Sequence, residues 1–131
     1  MKTAFYIFFS ALLLRLINLL FHDLNLSSYI YEDQYMYWDW SVKGAYTNWS
    51  QISKEILTER MPGVFWFYEV LIWIFGANLF FVIFCQCIVD SFTCVIIAKS
   101  AKLIDKNLEN TVAFLSIISP TMIISSSQIL S

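Results

Sequence analysis

Residues Leu79–Ala98 read LFFVIFCQCIVDSFTCVIIA, twenty residues with a single formal charge at Asp90. As a helix such a run rises about 30 Å, the thickness of a bilayer's hydrocarbon core. The rest of the chain keeps the same company. Of its 131 residues 59% are apolar, 18% aromatic and 14% charged, whereas soluble domains lie nearer about 45–50% apolar and about 25% charged. Disorder is excluded, because it needs low hydrophobicity and high charge. Eight Lys+Arg against ten Asp+Glu give a net charge of -2 with no basic stripe, which argues against a nucleic-acid binder. The remaining class is an integral membrane protein.

Upstream, Thr3–Phe21 (TAFYIFFSALLLRLINLLF) forms a second apolar run, preceded by Lys2. It is longer than the apolar part of a signal peptide, contains Arg15 and is not followed by a small-residue cleavage pattern. It reads as a retained anchor with a cytoplasmic amino end. Downstream, Thr111–Leu130 forms a third run with Pro120 near its centre. The stretch Val64–Phe75 (VFWFYEVLIWIF) rises only about 18 Å as a helix, too short to cross. Trp66, Tyr68 and Trp73 give it the amphipathic rings that favour a membrane–water boundary. Lys99, Lys102 and Lys106 place the segment Lys99–Asn110 in the cytoplasm by the positive-inside rule, together with Lys2. Both conditions hold only if Val64–Phe75 stays on one side. The fold expected is therefore all-α and polytopic in the cell membrane. It has three transmembrane helices (3–21, 79–98, 111–130), an extracytoplasmic loop (22–62) and an interfacial or re-entrant helix (64–75). Four transmembrane helices is the alternative.

That outer loop holds six acidic residues (Asp23, Glu32, Asp33, Asp39, Glu55, Glu59) and three basic ones (Lys43, Lys54, Arg60). Its length marks it as functional and partly helical. Within the spans, Arg15 needs a partner or a route to the headgroups. It is expected to reach towards the acidic outer loop, for a carboxylate or a phosphate. Gln86, Asp90 and Thr93 share one helical face and read first as a hydrogen-bonding patch between helices. Cys85, Cys87 and Cys94 lie in one span and imply packing rather than a disulfide framework or zinc site. His22, the lone histidine, reads as interfacial, and the sequons at Asn25 and Asn48 carry no weight.

The densest chemistry is Tyr31–Ser41, YEDQYMYWDWS. As a helix it aligns Asp33, Tyr37 and Ser41 at spacings of four, with Glu32 and Asp39 on a neighbouring face. An acid beside apolar rings is desolvated and more basic, which suits it to take a proton from an attacking hydroxyl. An amphipathic interfacial helix with a solvated acidic side fits the composition equally well.

The order of features resembles the amino-terminal part of the multispanning C-type glycosyltransferases, the clan of bacterial protein O-mannosyltransferases and lipid A aminoarabinose transferases. The resemblance rests on Arg15 near the outer end of the first span and on D-x-x-x-Y-x-x-x-small at Asp33, Tyr37 and Ser41. It also rests on R-x-P-G at Arg60, Pro62 and Gly63, on Gln86, Asp90 and Ser91 in a later span, and on Ser119-Pro120 running into serines. It covers the whole chain but only about the first third of a family member. It implies inverting transfer of a sugar, by a hexosyl- or mannosyltransferase, from a polyprenyl-phosphate donor to an acceptor hydroxyl on a protein, glycan or lipid. Asp33 would be the catalytic base with Glu32 as its understudy, and Arg60, Tyr37 and Arg15 would bind substrate. Some members use a divalent metal and others do not, so the cofactor stays open and no metal ligand is assigned. The chain is expected to be a fragment, inactive alone, because the family's second acidic site lies beyond Ser131. Two other classes compete: a small non-enzymatic membrane subunit or assembly factor, and a transporter fragment working through Asp90.

Overall fold

The computed structural model describes residues 2–21, 32–46 and 62–126. Among the described residues the chain is all-helical: α1 (Lys2–Phe21), α2 (Glu32–Tyr46), α3 (Pro62–Phe75), α4 (Leu79–Ile104), α5 (Leu108–Ile118) and α6 (Pro120–Ser126). Two of these, α1 and α4, are long and apolar enough to cross a membrane, and a third span exists if the bent pair α5–α6 counts as one. The chain divides into two compact units. One holds α1, α5, α6 and α4 from Ile83 onwards; the other holds α2, α3 and the first turn of α4.

In the first unit the helices meet over small residues. Ile7 and Ala11 of α1, Cys94 and Ala98 of α4 and Ala113 of α5 form a buried cluster, flanked by Val95, Ile117 and Met122. Small side chains let backbones approach closely, which matters where lipid removes the hydrophobic drive between helices. The rings of Phe8 and Phe92 lie 4.5 Å apart. That contact and the Arg15–Asp90 pair run in opposite senses along α1 and α4, as in antiparallel neighbours.

The third apolar run is broken rather than straight. At Pro120 the axis bends by 52° between α5 and α6. Proline has no N–H to give the Ser116 carbonyl, and it drives the residue before it out of the helical region. Ser119 accordingly has ψ 115. The helix restarts through the Ile123 N–H, which donates to the Ser119 carbonyl at 3.0 Å. The Ser116 carbonyl regains a donor from outside its helix: the Cys94 thiol points to it at 3.6 Å.

The other turns are built from local hydrogen bonds. Between α3 and α4, Gly76 takes φ +74, a left-handed conformation that ends a helix cleanly and that other residues enter at a cost. The Asn78 side-chain oxygen then accepts the Phe80 N–H at 3.0 Å, a cap for the first turn of α4. Between α4 and α5, the Asp105 carboxylate accepts the Asn107 N–H at 2.8 Å. Beside that turn Glu109 accepts from both Lys99 and Lys102. α4 continues as a helix to Ile104, past the span expected over 79–98, and its last turns carry lysines that find a buried carboxylate on the next helix.

A β-carbon at Gly76 would meet nothing within 4 Å, so only the backbone conformation resists substitution there. Gly76→Ala should lower stability by about 1 kcal/mol and Gly76→Asn by less. Thermal unfolding in detergent micelles checks the order.

Candidate functional site

The sequence candidates fall on α2 and α3. Glu32 and Asp33 open α2, and the helical register sets Asp33 one turn before Tyr37 and two before Ser41. The expected helix over the acidic aromatic segment is therefore present. Tyr37 is buried, and its ring stacks on Phe65 of α3, with centroids 4.6 Å apart and planes 16° from parallel. Trp40 leans on the same Phe65 at 5.7 Å. Ser41, also buried, donates to the Tyr37 carbonyl at 2.7 Å, back along its own helix. Phe65 follows Pro62 and Gly63 by one turn, so the ring contacts bring the D-x-x-x-Y helix against the helix opened by the P-G pair. Arg60 lies outside the described residues, as do His22, Asn25 and Asn48.

On the solvated side of α2, Lys43 pairs with Asp39 four residues earlier. The Asp39 carboxylate, accepting a hydrogen bond from the ammonium, holds the Lys43 pKa above its ordinary value. Among the described residues no group of three His, Cys, Asp or Glu side chains stands together in a way that could hold a metal ion.

Arg15 sits in the other unit, and its surroundings are specific. Its side chain is 0% exposed, and its Nε donates to Asp90 of α4, whose side chain is 23% exposed. Nη1 donates to the Ala11 carbonyl at 3.1 Å, and Nη2 to the Cys94 sulfur at 3.2 Å. Each guanidinium nitrogen is thus engaged by the protein. Sequence reading expected this side chain to reach towards the outer loop; the partner found is a carboxylate within the span. The signal was there: one cation inside one apolar run and one anion inside another.

Around this pair lie further bonds between helices. Gln86 donates to the Ser125 carbonyl at 3.0 Å and Asn18 to the Ile123 carbonyl at 3.2 Å. The Cys87 thiol points to the Ser126 carbonyl at 3.5 Å. The patch of Gln86 and Asp90 therefore ties helices of this chain together, as its spacing suggested. Thr93 differs, donating back to Val89 on its own helix at 3.2 Å. Cys87 and Cys94 do more than pack, since each thiol serves a backbone carbonyl.

Among the described residues fold and geometry define an all-helical chain with two to three helices long and apolar enough to cross a membrane, an ion pair between α1 and α4, and an aromatic two-helix element. No protein-family model, curated protein or solved structure matches the chain.

Breaking a buried pair by removing one partner leaves a charge stranded, whereas replacing both with apolar residues is nearly neutral. Arg15→Leu or Asp90→Leu alone should each cost about 3 kcal/mol, and the double variant should recover most of that loss. Reversible unfolding in micelles measures the cycle; additive losses would deny the pairing.

Proposed function

We propose that the chain is the amino-terminal part of a membrane glycosyltransferase that uses polyprenyl-phosphate-linked sugars. It carries three transmembrane helices, α1, α4 and the kinked pair α5–α6, with the amino end in the cytoplasm of the cell. In this reading α3, at about 21 Å, lies in the outer membrane interface rather than crossing. The observation that supports the function best is the ring stack of Tyr37 on Phe65, which joins the D-x-x-x-Y helix to the helix that follows R-x-P-G. Two motifs far apart in sequence thereby serve one element.

The chemistry follows from the roles the resemblance gives. Asp33, or Glu32 in its place, takes the proton of an acceptor hydroxyl. The oxygen attacks the anomeric carbon and forms the new glycosidic bond with inversion. The bond from that carbon to the phosphate oxygen breaks, and polyprenyl phosphate leaves with the electron pair. Arg60 supplies positive charge for the leaving phosphate, and Tyr37 fixes the helix that holds the base. Arg15, with its nitrogens committed to Asp90, Ala11 and Cys94, bears on substrate through the pairing of α1 with α4. The same commitments weigh against the two rival readings. Gln86 and Asp90 are engaged within the chain, which leaves little of that face for a partner subunit, and a guanidinium occupies the place a transported cation would need at Asp90.

Removing a general base should cost about a hundredfold or more in rate. In membranes containing the whole gene product, Asp33→Asn should lower transfer of a labelled sugar from polyprenyl phosphate by that factor. Membrane insertion should be unchanged. Undiminished transfer overturns the role. The topology is tested separately: Ser100→Cys, in a chain whose own cysteines are replaced by alanine, should react with an impermeant thiol reagent only from the cytoplasmic side. Labelling only from outside would make α3 a fourth span.

A further inference from the structure

The charges of the unit built on α1, α4, α5 and α6 are unevenly placed. Apart from the Arg15–Asp90 pair, its described charged residues are Lys2, Lys99, Lys102, Asp105, Lys106 and Glu109. Packing brings these to one end. Ile7 of α1, Ala98 of α4 and Ala113 of α5 share one buried cluster, and each lies within about one and a half turns of one of these charges. Four lysines against two acids leave that end with a net charge of +2. Both acids are engaged: Glu109 is shared by Lys99 and Lys102, and the Asp105 carboxylate accepts the Asn107 N–H. Lys2 and Lys106 are exposed and make no ion pair among the described residues.

We propose that this end of the unit holds the headgroup phosphate of an anionic phospholipid, through Lys2 and Lys106. An ammonium offers three donors and no acceptor, and each lysine near a membrane surface draws anionic lipid towards it. Lys99 and Lys102 spend donors on Glu109, but two cations over one carboxylate leave a positive charge that adds to the attraction. The depth of the site favours a lipid over a dissolved anion. α4 has 26 residues and rises about 39 Å, within the about 40–45 Å of a bilayer with its headgroup regions. Its last turn therefore lies at headgroup depth. There Leu103 and Ile104 are 89% and 84% exposed. Large apolar side chains among lysines suit the boundary where acyl chains meet phosphate, and a dissolved phosphate would cover neither. This inference rests on α1 and α4 crossing the membrane and does not depend on the assignment of glycosyl transfer.

The test counts lipids retained by the full chain in native mass spectrometry, from micelles holding equimolar phosphatidylglycerol and phosphatidylcholine. Phosphatidylglycerol should be retained about fivefold over phosphatidylcholine, the effect of one lysine on an anionic headgroup. The ratio should fall towards equality as added salt screens the charges. Lys2→Gln and Lys106→Gln should each lower the preference, and Lys106→Arg, which keeps the charge, should preserve it. Equal retention of the two lipids by the unaltered chain overturns the proposal without recourse to any variant. So does a double Lys2→Gln and Lys106→Gln chain that keeps the full preference, because the lipid then sits elsewhere. Millimolar inorganic phosphate should leave the bound lipid in place; displacement would assign the lysines to the free anion and overturns the lipid site. Resistance of the chain to extraction from membranes by alkaline carbonate reports on membrane crossing independently, so failure of the headgroup site and failure of that reading are distinguishable.

Discussion

A guanidinium cannot sit unpaired in hydrocarbon, and the arrangement of α1 and α4 answers that constraint. Arg15 is wholly buried about 9 Å from the end of α1, too deep for its charge to be ignored. Its carboxylate partner is 75 residues away in sequence. The pair is therefore a condition on folding: in an apolar setting α1 needs beside it the helix that brings Asp90. Ala11 and Ala98 of the two helices lie in one buried cluster.

The same logic of satisfying polar groups without water governs the break at Pro120. Every carbonyl released by a kink inside lipid needs a donor. Here Cys94 serves the Ser116 carbonyl freed at the kink, and Asn18, Gln86 and Cys87 serve the carbonyls of Ile123, Ser125 and Ser126 in the last turn of α6. Residues that look out of place in apolar runs are thus the ones that let a bent helix exist there. Their individual energies are modest, about 1 kcal/mol each, but leaving the carbonyls bare would cost more.

Much of this was legible in the sequence. Uninterrupted apolar runs located α1 and α4, since nothing but a helix satisfies its own backbone over that length in lipid. Tyr37 and Ser41 were readable as one face of α2 from their spacing alone. The partner of Arg15 was not read, because pairing across 75 residues depends on which helices become neighbours, and periodicity within one helix is silent on that. That α4 stays helical past the span expected over 79–98 was not read either, for a related reason: Lys99 and Lys102 look like a loop until Glu109 folds back to meet them. Pro120 signalled a break, but the bonds that Cys94 and Asn18 make to the carbonyls of Ser116 and Ile123 on either side of it come from other helices. The base assigned to Asp33 rests on resemblance, and only its helical register is structural.

The length of α4 has a mechanical meaning. From Leu79 to Lys99 the helix rises about 30 Å, and the lysines that follow are clamped by Glu109. Were α4 to cross a bilayer, a shift along its axis in one direction would drag two ammonium groups and a carboxylate into the hydrocarbon, and a shift in the other would pull the Gly76 turn after it. The stretch from Leu79 to Lys99 thus has the length of one bilayer thickness, with a polar stop at each end. In a thinner or thicker membrane it can only tilt or deform the lipid around it, at a cost that grows with each ångström of mismatch. The distance between a glycine and a lysine thus matches the hydrocarbon thickness of an ordinary bilayer.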